Sequence, residues 1–183
     1  MAFRTSLESL ATFVRSLIGD PISTTSDLSQ ETIAAVLDRY ATTVKYLLLR
    51  GEATLYPSVQ YLDFYADIPF WEETATLAAA DYAPLVATTK EPMTGHWAFA
   101  AQPATAPTVY VSGTYFDVYA AAADLVDMRI AALAATAFDF TSDGQSFRQS
   151  QIITSLQSLA ARLRSQATST VTTSVAYRSD VGG

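Results

Sequence analysis

The sequence contains no cysteine and only one histidine. Without cysteine the chain has no disulfide, iron–sulfur cluster, thiolate zinc site or cysteine nucleophile. The histidine, His96, has no second histidine beside it to suggest a metal, and we expect it to be structural. The seven glycines are scattered, and neither a GxGxxG nor a GxxxxGKS/T phosphate loop occurs. A GxSxG serine motif is absent as well.

Charge is also scarce, since 16% of the residues are charged against about a quarter in average domains. A low charge fraction leaves much neutral surface, and such surface is often an interface. The net charge of −7 disfavours nonspecific binding of the monomer to nucleic acid. A negative charge is, however, compatible with a protein that lines a channel for DNA, because repulsion between the carboxylates and the phosphates keeps the DNA from binding to the channel wall.

Long apolar runs are missing too. Three charged residues interrupt the most apolar window, residues 118–137: Asp124, Asp127 and Arg129. Glu8 and Arg15 interrupt any apolar core of a signal peptide at the N-terminus. We therefore expect no membrane segment and a product made in the cytoplasm.

Carboxylates are present but do not form a catalytic pattern. Glu72 and Glu73 are adjacent, and neighbouring residues of a strand point to opposite faces, so they are not expected to act on one bond. Asp139, Thr141 and Asp143 have the first three spacings of a calcium loop, but position twelve is a serine. We expect no catalytic residue, no metal and no cofactor, and hence a protein that is not an enzyme.

Residues 112–167 give the most consistent pattern, that of a helix, a short acidic turn and a second helix. Thr114 is the predicted N-cap of the first helix. Asp143-Gly144 forms the predicted turn, and Ser146 with Gln149 the capping box of the second helix. Apolar residues recur at helical spacing in both: Val118, Ala122, Leu125 and Leu133, then Ile152, Leu156, Leu159 and Leu163.

Two further helices are predicted at the N-terminus. The first has apolar residues three and four apart over residues 3–18 and ends at Gly19. The second begins at Ser29, its predicted N-cap, and ends near Ala41. Its apolar stripe consists of Ile33, Val36, Leu37 and Tyr40.

The period changes to two between residues 44 and 111, which indicates a small antiparallel sheet. Strands are predicted at 59–65, 74–78, 96–100 and 108–112, and Arg50-Gly51-Glu52 is a predicted turn. The aromatic residues of this region are expected to form its core: Tyr61, Tyr65, Phe70, Trp71, Trp97 and Phe99. The alternative is an exposed platform for a carbohydrate or another ligand.

The predicted fold is therefore α+β, a helical bundle with an inserted β subdomain. The N-terminal helices occupy 1–43, the small antiparallel β subdomain 44–112, and the C-terminal helical hairpin 113–167. Residues 168–183 are a predicted extended tail, because this segment lacks the apolar surface to fold alone.

The run YFDVYAAAADL, followed by FDFTSDGQSFRQSQ and LAARLRSQA, resembles the C-terminal half of head–tail connector proteins of long-tailed bacteriophages. The similarity is strongest over residues 110–166 and continues more weakly through LSQETIAAVLDRY, YLDFYADIPFWEE and TGHWAFAAQPATAPTVYVSG. The resemblance implies a neck adaptor, or head-completion protein, of the virion. Relatives form closed rings, usually twelve-fold, that bind the portal on one side and a stopper or tail component on the other. DNA passes through the channel without sequence-specific binding.

The C-terminal quarter is the one basic part of the sequence, and it supplies the predicted interface residues. Its arginines fit either a solvated helix face or a surface that docks on an acidic partner: Arg148, Arg162, Arg164 and Arg178. In the tail, Val171, Thr173 and Val175 are predicted to add an edge strand to another chain or to dock on their own domain. Tyr177 and Arg178 are expected to reach the portal or the next subunit.

Overall fold

The computed structural model describes residues 3–20, 28–54, 59–102, 107–135, 139–142 and 145–167. Within these ranges the chain has four α-helices, two four-stranded antiparallel sheets and a short two-stranded hairpin. The predicted α+β class is confirmed, although the β region contains two sheets instead of one.

The first two helices follow the local signals in the sequence. Helix α1 (Glu8–Ile18), preceded by the 3₁₀ turn Thr5–Leu7, ends as predicted at Gly19, whose φ of +66° places it in the left-handed region. Helix α2 (Gln30–Leu37) continues into the 3₁₀ turn Asp38–Tyr40. The predicted cap of α2 is confirmed, because the Ser29 hydroxyl accepts a hydrogen bond from the backbone N–H of Thr32 at 3.1 Å.

Eight strands form the two sheets. Sheet A has the order β1-β8-β4-β5 and sheet B the order β2-β3-β7-β6. Their bounds are β1 Ala41–Leu48, β2 Arg50–Thr54, β3 Gln60–Tyr65, β4 Thr76–Ala79, β5 Pro84–Leu85, β6 Thr89–Glu91, β7 His96–Gln102 and β8 Val109–Phe116.

The predicted limits of the β subdomain, at residues 44 and 112, fall inside β1 and β8. These strands pair from Ala41 opposite Phe116 onward, so both extend farther than periodicity indicated. Thr114 therefore lies in β8, where its hydroxyl contacts that of Thr43 at 3.1 Å, and it does not cap a helix. Asp117 has that role, since its Oδ1 accepts from the Ala120 N–H at 3.0 Å and α3 (Val118–Ala135) follows.

The predicted turn at Arg50-Gly51-Glu52 is instead part of strand β2, paired with β3. A Cβ at Gly51 would lie 3.1 Å from ring carbons of both Phe64 and Tyr61, so glycine here permits close approach of aromatic rings. The chain crosses from sheet A to sheet B through the buried Leu49.

The connection between the C-terminal helices also differs from the prediction. Strands β9 (Asp139–Ser142) and β10 (Gln145–Arg148) form a hairpin, and α4 (Gln149–Gln166) begins only after it. Ser146 is thus a strand residue and not part of a capping box, because cross-strand pairing with Thr141 replaces local capping. The predicted turn residues, Asp143 and Gly144, lie outside the described residues.

Two buried clusters hold the fold together. The helical cluster combines residues of all four helices with Phe116. The sheet cluster contains Trp71, Trp97 and Phe99 with half-buried Tyr61, which confirms that part of the predicted aromatic core. Phe70 differs, because it packs on the helical cluster, stacked on Phe13 at 5.5 Å between ring centroids.

Candidate interaction surface

The α3–α4 hairpin has a buried half and an exposed half. The buried residues of α3 lie between Val118 and Val126, and those of α4 are Ala160 and Leu163. We call residues 127–135 and 149–159 the arm. In the arm the apolar stripe is incompletely covered: Leu133, Leu156 and Leu159 are half-buried, while Met128 and Ile152 are each 42% exposed.

The sequence of α3 explains its buried half. Three successive alanines, 121–123, are fully buried, as is Leu125. Successive positions of a helix point about 100° apart, so this segment is covered on several sides. Small side chains allow α1 and α2 to approach that closely. Past Val126 no described residue of α3 is buried, although Ile130 still packs against the helical cluster.

Ion pairs and a hydrogen bond, which we call the polar cluster, connect the C-terminal end of α4 to α3. Arg164 donates to the Asp127 carboxylate and lies 3.9 Å from Asp124 Oδ1. The Tyr40 hydroxyl donates to Asp124 Oδ2 at 2.6 Å. This hydrogen bond, with burial and the carboxylate charge, raises the pKa of Tyr40 to about 12. The bond to Asp127 likewise raises the pKa of Arg164.

Two of the predicted basic interface residues, Arg162 and Arg164, have described side chains. Arg164 is held by its two aspartates, whereas Arg162 is exposed on the same helix. Arg148 is the last residue of β10, directly before α4. The tail residues predicted for the interface lie outside the described residues: Val171, Thr173, Val175, Tyr177 and Arg178.

A groove of about 590 Å³ lies where α4 ends. Its walls come from Tyr40 and the start of β1, from Phe70, and from the junction of β8 with α3 at Phe116. Strand β1 is an edge strand of sheet A, and the described chain ends in this groove at Ala167. The two predicted destinations of the tail both remain predictions.

His96 and the paired glutamates have structural partners. His96 Nε2 lies 2.8 Å from Asp63 Oδ1, and its ring stacks on Tyr65. The Glu72 carboxylate accepts from the Ser6 hydroxyl at 2.6 Å, and that of Glu73 from Ser9 at 2.7 Å. The two carboxylates therefore bind the N-terminal segment to the β region. Across the described ranges, no group of three or more acidic or histidine side chains is placed to hold a metal ion.

The tryptophans that suggested a ligand platform are buried, with Trp71 1% and Trp97 0% exposed, so their rings fill the sheet cluster. Sequence reasoning did not find the exposure of the arm or the contact of Tyr40 with Asp124. These two residues are 84 positions apart, and only the fold brings them together.

No family model, curated protein or solved structure matches the chain. Among the helices in the described part, none is both long and apolar enough to cross a membrane.

Proposed function

We propose that the chain is a structural subunit of a ring in the neck of a long-tailed bacteriophage virion. The ring, twelve-fold as in most relatives implied by the resemblance, joins the portal to a stopper or tail component and surrounds the DNA channel. The four helices form the bundle of each subunit. The subunit makes and breaks no covalent bond, and it is made in the host cytoplasm.

The observation that carries this proposal is the arm. Two 18-residue helices leave their shared core with an apolar stripe that is only half covered, and Met128 and Ile152 are exposed. Exposed apolar surface of this kind marks protein–protein contact sites. The arm also lies within residues 110–166, the part of the sequence that most strongly resembles connector proteins.

Charge supports contact between copies through α4. The chain carries a net charge of −7, yet α4 contains no Asp or Glu. The exposed Arg162 is therefore available to an acidic neighbour, whereas Arg164 is already paired. In the proposal, Arg148, Val171, Val175, Tyr177 and Arg178 also contact the portal or the next subunit.

To test the proposal, the purified chain is mixed with a portal protein. The mass of the complex is then measured, and the complex is imaged by electron microscopy. We expect a ring on the portal vertex for the natural chain. Ile152→Asp should prevent ring formation, because it places a charge in the apolar stripe. Gln157→Asp, which adds the same charge at an exposed polar position of α4, is the matched control and should form rings.

Both variants should keep the thermal unfolding midpoint of the natural chain, since both positions are exposed. Absence of the chain from purified virions would refute the neck assignment. If the Ile152→Asp variant formed rings as well as the natural chain, the arm would not be part of the contact between subunits.

A further inference from the structure

The outward face of sheet A carries a cluster of exposed aromatic and aliphatic side chains. The name tyrosine patch is used for Tyr46, Leu48, Tyr82 and Tyr110 together with Val86, which directly follows β5 and is two residues past Pro84. Tyr46 is 50%, Leu48 61%, Tyr82 60% and Val86 85% exposed. The rings contact one another, with centroids 4.7 Å apart for Tyr46 and Tyr82 and 6.0 Å for Tyr82 and Tyr110.

Strand register explains why this face is apolar. One row crosses all four strands, with each residue paired to the next: Leu48, Tyr110, Ala78 and Pro84. No member of the row is charged. The alternate positions of the same strands, such as Val111 and Leu77, belong to the sheet cluster, so the row faces away from it.

The backbone at two of these tyrosines is strained. Tyr46 has a φ of +56° at the bulge of β1, and Tyr82 has a φ of +63° in the β4–β5 turn. Both are positions where glycine or asparagine is favoured. Among the described residues a third large side chain, that of Phe70, has a φ of +65°, but it packs on the helical cluster, whereas Tyr46 and Tyr82 are exposed and their rings meet. Strained residues cluster at functional sites, so two strained and exposed tyrosines in contact support a role for this face in binding.

Within the described ranges, the arm is the other place where more than one large apolar side chain is exposed. Seven large hydrophobic side chains are exposed in the part of the chain that the structure describes; four belong to the tyrosine patch and two, Met128 and Ile152, to the arm. A head-to-tail contact joins two different surfaces of neighbouring copies and generates a ring when the rotation between copies closes. The row across sheet A has no charged residue and α4 has no acid, which limits the repulsion between two chains of charge −7. The nearest carboxylates have partners of their own, since Asp127 of the arm pairs with Arg164 and Asp81, beside Tyr82, accepts from the Ala83 N–H.

We propose that the tyrosine patch of one subunit binds the arm of the next copy of this chain. The aromatic rings supply a broad surface for the half-covered stripe of α3 and α4. This inference rests on the proposed ring in naming the contact between its subunits, but it concerns only how two copies meet.

Cross-linking tests the contact directly, because the chain has no cysteine to interfere. Two variants are prepared, Val86→Cys in the tyrosine patch and Ser155→Cys in the arm. They are mixed and treated with a short bismaleimide, once as free protein at high concentration and once as rings bound to the portal. We expect mixed 86–155 dimers to exceed either homodimer several-fold. The control is Gln157→Cys, which points about 160° away from Ser155 on α4 and should give little product with Val86→Cys.

Tyr82→Gly separates binding from folding. Glycine relieves the positive φ, so the thermal midpoint should stay level or rise, while association between copies should weaken roughly tenfold or more. A lowered midpoint with unchanged association would show that the ring serves only its own fold, and would overturn the inference. So would dominant 86–86 dimers, or cross-links from position 86 only to another neck protein.

The two proposals fail in different ways. Rings on the portal without any 86–155 product would overturn the patch-to-arm contact and leave the neck function standing. Mixed 86–155 dimers of a chain that never binds the portal would keep the contact and refute the neck function.

Discussion

The helical cluster and the sheet cluster are built from different side chains. Phe116 is the one aromatic residue among the buried members of the helical cluster in the described chain, and alanines are frequent there. The sheet cluster instead contains four buried aromatic residues: Phe64, Trp71, Trp97 and Phe99. Alanine-rich helices approach closely, whereas stacked sheets lie about 10 Å apart and need large side chains to fill the space.

The two clusters are joined by two short segments, in each of which neighbouring residues point in opposite directions. Phe70 packs on the helical cluster, while the next residue, Trp71, lies in the sheet cluster. In the same way, Phe116 belongs to the helical cluster and its neighbour Tyr115 packs against the sheet cluster. An isolated bridge pairs Trp71 with Tyr115, so the same two short segments connect both clusters. Damage to either cluster is therefore expected to affect the whole unit.

The largest effect is expected in the sheet cluster. Trp97→Ala should lower the free energy of unfolding by about 4 kcal/mol, since a fully buried indole leaves a large cavity. Trp97→Phe should cost much less, because it keeps most of the ring and removes an indole N–H that has no hydrogen-bond partner among the described atoms. Urea unfolding measures both. Equal losses would contradict a cavity-dominated sheet cluster.

A smaller loss is expected in the helical cluster. Leu125→Ala should cost about 3 kcal/mol, because this side chain is fully buried between α3 and its neighbours. Leu133→Ala, on the same predicted stripe but half-buried in the arm, is the matched comparison and should cost less than about 1 kcal/mol. If the two losses agree, the arm is as well packed as the core and the division of the hairpin is wrong.

The smallest effect concerns the polar cluster. Tyr40→Phe removes one hydrogen bond to a carboxylate and should cost about 1 kcal/mol near pH 8. The folded pKa of Tyr40 is about 12, above its ordinary value near 10. The stabilisation is therefore fully present below pH 10 and is lost as the pH rises towards 12.

The measurement is the difference in unfolding free energy between the natural chain and Tyr40→Phe from pH 8 to 11. Taking the difference removes the titration of the other tyrosines, which both chains share. A difference that grew above pH 10 would contradict the assigned hydrogen bond.

Local sequence determined the elements whose signals lie within a few residues. The cap at Ser29, the end of α1 at Gly19 and the apolar stripes of α1, α2 and α4 follow from side chains three or four positions apart. The same reasoning placed β3 and assigned Trp71 and Trp97 to a core. These features depend on backbone geometry and hydrophobicity, which neighbouring residues fix.

Tertiary structure decided whatever depends on a distant partner. Gly51 lies in a strand because Phe64 and Tyr61 pass over it, and Thr114 is a strand residue because Thr43 pairs with it. Which half of α3 is buried, and which tyrosines of sheet A meet, likewise follow from contacts between segments far apart in the chain. Periodicity shows that a helix or strand has an apolar face, but only packing determines how much of that face another segment covers.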